Sequence, residues 1–129
     1  MHLSGIKTIW TTEEQLRKAA RRFEGRGDVV AIYVFGSFVT RRKRPEDIDV
    51  CVIAKRPLSL AEELKMAAQF PDDVDLVFFY RLPVKIRFNV FREGRPLLVK
   101  DEEALAEVRA QTVRQHQDAY YWILRYERR

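Results

Sequence analysis

Three aspartates stand where side chains of their kind could do chemistry. Asp47 and Asp49 are two apart at the head of an apolar run, Asp49 to Ile53, and Asp75 interrupts a second run, Val74 to Phe79. In a strand, residues i and i+2 project from the same face, so Asp47 and Asp49 would present two carboxylates side by side. Two like charges that close repel unless a divalent cation offsets them, and Mg²⁺ takes oxygen ligands of this kind together with substrate phosphates. A charge inside an apolar run is costly as well, and Asp75 joins the other two at one site if its strand lies beside theirs. Upstream, Gly36-Ser37 closes a third apolar run, Val29 to Phe35. Without a Cβ, Gly36 lets the backbone turn sharply and its N–H groups approach an anion, and Ser37 adds a hydroxyl donor. Taken singly, Gly-Ser is a common turn and Asp-x-Asp a common cap. Their order along the chain points to a phosphate-handling turn that feeds metal-binding carboxylates.

The elements needed to position these residues follow from the pattern around them. Val29 to Phe35, Asp49 to Ile53 and Val74 to Phe79 have the length and the β-branched and aromatic content of strands. Thr11 and Thr12 both suit an N-cap, Thr11 forming a capping-box pattern with Glu14, and that helix would run to about Glu24 before Gly25 and Gly27. Ser59 would start a second helix with Leu60, Leu64, Ala67 and Ala68 on its apolar side, ending near Pro71. A strand, a helix and a strand in succession predict a crossover and at least one parallel pair. Leu82 to Glu93 fits either period: Val84, Ile86, Phe88 and Val90 alternate as in a strand, whereas Leu82, Ile86 and Val90 form a helical stripe. Asp101 to about Tyr126 reads as one long helix, with Leu105, Val108, Thr112, His116, Tyr120 and Ile123 on one stripe.

At YVFGSFVTRRKRPEDIDVCVI, with VDLVFF downstream, the chain resembles the DNA polymerase β-like nucleotidyltransferase superfamily, in particular its minimal nucleotidyltransferase (MNT) branch. The resemblance covers about Val29 to Lys100. It implies an α/β (α+β) fold, a small mixed β-sheet with helices packed on it and a long C-terminal helix, in a single domain over residues 1–129. The core would span about 29–100 and the helix about 101–126. On that likeness 82–93 is expected to be a helix, stopped by Gly94 and followed by a short strand at Leu97 to Val99. The activity implied is Mg²⁺-dependent transfer of a nucleoside monophosphate, AMP if ATP is the triphosphate used, with two ions and release of pyrophosphate. At matching positions Gly36 and Ser37 would hold the triphosphate, Asp47 and Asp49 the metals, and Asp75 would be the third carboxylate. Where relatives often carry a second small residue after the serine, this chain has Thr40, Arg41 and Arg42. Proteins of the MNT pattern are also similar to antitoxins that neutralise HEPN toxins by adding AMP to a toxin tyrosine, which makes a HEPN-type toxin the expected partner.

Composition agrees with a small enzyme or module. A chain of 129 residues can bury a core but has little room for a separate acceptor domain, so the acceptor is expected on another molecule. No apolar segment approaches membrane-spanning length and no signal sequence opens the chain, which predicts a cytoplasmic protein with no membrane contact. Cys51, the only cysteine, falls inside a strand and reads as a buried small hydrophobe. The net charge is +5. Arg17, Lys18, Arg21, Arg22 and Arg26 form one basic cluster, read as a solvated helix face, and Arg41, Arg42, Lys43 and Arg44 form another within the proposed site. Lys43 and Arg44 are therefore candidates for nucleotide binding. Arg109 and His116 resemble the Arg-x(4–6)-His signature of HEPN ribonucleases, but a hydrogen-bonded histidine beside a surface arginine is the simpler reading, and a ribonuclease explains none of the aspartates. Two alternatives stay open: an inert MNT-fold antitoxin or adaptor acting by contact, and a basic nucleic-acid-binding module, the latter lacking stacking aromatics in a recognised motif. Homo-oligomerisation is left open as well.

Overall fold

The computed structural model describes residues 11–36, 39 and 48–127. Among them lie α1 (Glu13–Arg21), β1 (Val29–Phe35), β2 (Ile48–Ala54), α2 (Leu60–Ala67), β3 (Val74–Phe78), a 3₁₀ turn (Phe79–Arg81), α3 (Val84–Glu93), β4 (Arg95–Val99) and α4 (Glu102–Glu127). The strands form one mixed sheet in the order β3-β2-β1-β4, with β1 antiparallel to β2 and β4, and β2 parallel to β3 across the α2 crossover.

Alternation along the strands divides the core in two. Ile32, Val34, Ile48, Val50 and Val52 pack on one face against Leu16, Ala20 and Phe23 of α1 and its exit, and against Met66 and Phe70 of α2 and the turn after it. Tyr33, Phe35, Cys51 and Ile53 pack on the other face against Val90 of α3 and Leu105 of α4. Every residue of β1 is buried, as expected for an inner strand covered on both sides, which is why it reads as an unbroken apolar run. Pro96, which has no N–H for a ladder, sits in the edge strand β4, where such a residue is tolerated.

The helix caps resolve one ambiguity of the sequence. Thr12, not Thr11, is the N-cap of α1, in a reciprocal capping box with Gln15. Thr11 is engaged elsewhere: its Oγ1 donates to Asp73 Oδ1 at 2.6 Å. The helix ends at Arg21, earlier than the glycines suggest, because i→i+3 bonds such as Phe23 N to Ala20 O tighten the exit into turns. Ser59 caps α2 as expected, with Glu62 closing its box. The apolar side of α2 is a correction: Leu60, Leu64, Ala67 and Ala68 are all exposed, and the helix instead buries Glu63 and Met66. The reason is polar. The Glu63 carboxylate accepts from the Tyr80 hydroxyl and from Arg81 Nε, the latter at 2.9 Å, and a buried charge is tolerated when it is paired in this way.

Residues 84–93 are helical. Arg87 secures α3 by donating from Nε and Nη2 to the carbonyls of Phe79 and Tyr80, at 3.0 and 2.9 Å. Gly94 follows as the stop, for a reason of space rather than dihedral freedom. A Cβ there would lie 2.2 Å from the Val90 carbonyl oxygen and 3.0 Å from that of Val34, since the chain must pass close to β1 before pairing with it as β4. Gly94→Ala is expected to lower the unfolding free energy by about 1–3 kcal/mol, the usual penalty of overpacking. Urea denaturation would check it, and an unchanged midpoint would reject this packing.

The first basic cluster is largely consumed by local pairing. Arg17 meets Glu13 at 3.2 Å, Arg22 donates to Gln69, and Arg26 bridges Asp28 and Glu62 at 2.8 Å each, with Arg56 on the same two carboxylates. The Ser59 backbone N–H, followed by Arg56 and Arg26, pulls the Glu62 carboxyl from 4.5 down to about 2. Its folded pKa is depressed, so its contribution to stability is complete above the unfolded value and is lost as pH falls through the folded one. Stability is therefore expected to decline between about pH 4.5 and 2, and Glu62→Gln should flatten that decline in urea midpoints measured across the range.

Candidate active site

The register brings Gly36, Asp49 and Asp75 to one end of the sheet. Phe35, the last residue of β1, pairs with Asp49, and Asp49 pairs in turn with Asp75 of β3. Directly paired residues share a face, and adjacent strands lie about 4.8 Å apart, so the two aspartates stand side by side on the sheet face that carries α3 and α4. Asp49 is half-buried and Asp75 is exposed, so the pair opens to solvent. The sequence alone predicted this meeting only on the condition that β3 neighbours β2, and that condition holds.

Gly36 follows Phe35 directly with φ +79°, in the left-handed region that disfavours a side chain. The Val39 N–H donates to the Gly36 carbonyl at 3.0 Å, an i→i+3 bond at the exit of β1. A Cβ on Gly36 would lie 2.6 Å from Asp49 Oδ2. The glycine thus does more than allow a turn, since its missing side chain leaves the space that the Asp49 carboxylate occupies. Nothing in the spacing of the two residues announced that contact.

A second support was also not legible in the sequence. Asp73 receives Thr11 Oγ1 at its carboxylate, and its carbonyl accepts from the Ile48 N–H at 3.0 Å, which ties the entry of β2 to the turn before β3. The Asp73 side chain thus holds Thr11, just ahead of α1, against the turn before β3, while its main chain joins the entry of β2. Asp73 is 62 residues from Thr11, and no motif links them.

Ser37, Lys43, Arg44 and Asp47 lie outside the described residues, as do Thr40, Arg41 and Arg42. Among the described residues no group of three or more His, Cys, Asp or Glu is placed to hold a metal ion. The pair that is described consists of a half-buried and an exposed carboxylate, and carboxylate oxygens are of the kind that hard cations take as ligands. Cys51 takes no part. It is buried, and desolvation pushes its thiol well above the usual range, the nearby Arg87 offsetting this only in part, so the reactive thiolate is disfavoured. Arg109 and His116 do not form a joint site either: Arg109 Nη2 donates to the Tyr33 hydroxyl at 3.0 Å and covers Phe91, while His116 stacks on Phe88 with ring centroids 3.8 Å apart. Both tether α4 to the domain.

A four-stranded mixed sheet in the order β3-β2-β1-β4, helices on both faces and a long final helix make the polymerase β-like nucleotidyltransferase fold. Residues 15–103 match the family described as Polymerase beta, Nucleotidyltransferase, and the chain belongs to that family. Among solved structures it is similar to a chain of a toxin–antitoxin crystallised with AMP-PNP, with a TM-score of 0.64 and 21% identity over 91% of this chain and 98% of that one. It is also similar to a chain of a tri-AMPylated Shewanella oneidensis HEPN toxin in complex with MNT antitoxin, with a TM-score of 0.60 and 23% identity over 89% and 93% of the two chains. The MntA–HepT toxin–antitoxin gives 0.60 and 22% over 89% and 94%. At these identities the likeness is one of fold. No curated protein sequence matches the chain. No helix among the described residues is long and apolar enough to cross a membrane.

Proposed function

We propose that this protein transfers AMP from ATP to a hydroxyl side chain of a HEPN-type toxin, acting as its antitoxin. The observation that carries the reading is the row formed by Gly36, Asp49 and Asp75: a left-handed glycine turn against one carboxylate, with a second carboxylate on the adjacent strand. The membership in the nucleotidyltransferase family supports the reaction class. The fold shared with a toxin–antitoxin crystallised with AMP-PNP supports the nucleotide, and the fold shared with an AMPylated HEPN toxin in complex with MNT antitoxin supports the partner.

In this reading Asp47 and Asp49, with Asp75, would hold two Mg²⁺ ions, and Gly36, Ser37, Lys43 and Arg44 would face the triphosphate. Mg²⁺ bound there supplies charge neutralisation on the phosphates and lowers the pKa of the acceptor hydroxyl. The acceptor oxygen bonds to the α-phosphorus as the bond from that phosphorus to the bridging oxygen breaks, and pyrophosphate leaves. Asp75, exposed on the edge strand β3, would be the group that takes the hydroxyl proton.

Incubation with a purified HEPN partner, Mg²⁺ and ATP is expected to raise the partner's intact mass by one or more AMP units. Inhibition of the partner with no mass change, with Mg²⁺-ATP shown to be bound, would leave an inert antitoxin acting by contact as the better account. Nucleic-acid binding that falls steeply with salt, without transfer, would favour the basic-module reading.

A further inference from the structure

Two exposed apolar surfaces of opposite shape are left unused by the site. The first is convex. The packed stripe of α4 ends at His116, and residues 117–126 are all exposed, a helical arm of about 16 Å beyond that contact. Tyr120, Tyr121, Trp122, Ile123, Leu124 and Tyr126 are 46–61% exposed and point to every side of it. A helix that is apolar all round is one that neighbours surround. The second surface is concave: a groove of about 300 Å³ between the outward side of α2, with Leu60 and Leu64, and the edge strand β3, with Leu76 and Phe78.

We infer that the occupant of both surfaces is a second copy of this chain, in a reciprocal dimer in which each arm lies against the other arm and in the other copy's groove. Area supports this. Aromatic side chains carry about 150–250 Å² each, so at half exposure the arm offers on the order of 600 Å². That falls short of the roughly 800 Å² per partner of a standard interface, and Leu60 and Leu64, 66% and 62% exposed, make up the difference. Shape supports it too, since a flat partner covers one side of a helix, whereas a second copy supplies a helix on one side and a groove on another. Charge is compatible: the chain carries +5, yet residues 117–129 hold Asp118 and Glu127 against Arg125, Arg128 and Arg129, so two arms meet with little net repulsion.

Sedimentation equilibrium of the protein alone tests the proposal. The wild type is expected to sediment as a dimer. Ile123→Asp in the arm and Leu64→Asp in the groove, both at exposed positions that leave the fold intact by circular dichroism, should each weaken the dimer about 30-fold or more. An equimolar mixture of the two variants should recover dimer, because one arm and one groove remain intact and face each other. A monomeric wild type, a Leu64→Asp protein as dimeric as wild type, or a mixture that recovers nothing would each overturn the reciprocal arrangement.

Discussion

Gly36→Val is expected to weaken Mg²⁺-dependent triphosphate binding by about 100-fold, the order of loss that a misplacement of about 1 Å produces at a reacting centre. The first added atom decides this, because a Cβ at Gly36 would sit 2.6 Å from Asp49 Oδ2. Either the carboxylate moves off its position or the turn does, and both are parts of the proposed site. The backbone adds a separate penalty of about 1–2 kcal/mol for holding an L-residue at φ +79°. Gly36→Ala carries the same Cβ without the branching and should lose nearly as much affinity, which distinguishes the carboxylate clash from simple blockage by a larger side chain. Titration calorimetry with Mg²⁺ and a nonhydrolysable ATP analogue, on protein shown folded by circular dichroism, reads the effect. A folded Gly36→Val protein that keeps wild-type affinity would place the phosphates elsewhere.

Asp49→Asn and Asp75→Asn should each cut AMP transfer to the partner by about 1,000-fold or more while the complex still forms. Removing one anionic ligand forfeits several kcal/mol of charge stabilisation at the reacting phosphate, and each 1.4 kcal/mol is tenfold in rate. Asparagine keeps the shape of the side chain, so the strand pairing from Ile48–Val74 to Val52–Phe78 should persist. The groove proposed for self-association begins at Leu76, next to Asp75 in β3, so sedimentation of the same two variants is needed to separate a loss of transfer from a loss of dimer. Intact-mass spectrometry follows the modification and co-purification follows the complex. Transfer undiminished in both variants would rule out the Asp49–Asp75 pair, and loss of transfer together with the complex would assign the aspartates to the contact surface instead.

What the sequence determined by itself was local and ordered along the chain. Three apolar runs of strand length, Gly36 at the end of one, an aspartate at the head of the next and another inside the third defined the elements and the resemblance, because each signal lies within a few residues of the feature it specifies. The strand–helix–strand crossover followed from the same reading, as did Ser59 as the start of α2 and Cys51 as a buried residue. Tertiary structure decided what depends on neighbours distant in sequence. The apolar side of α2 could not be chosen from its spacing, because Leu60 and Leu64 compete with Met66, and the partners that settled it, Tyr80 and Arg81 around Glu63, lie 17 and 18 residues on. Thr11 suited a cap until Asp73 claimed its hydroxyl. The two periods of residues 84–93 were nearly equal in the sequence, and Arg87 on the Phe79 and Tyr80 carbonyls, with Gly94 tight against β1, accompanies the helical outcome. The need for Gly36 read as a matter of backbone freedom; only the pairing of β1 with β2 showed that it is also a matter of room for the Asp49 carboxylate, since a contact across two strands leaves no trace in the spacing along one.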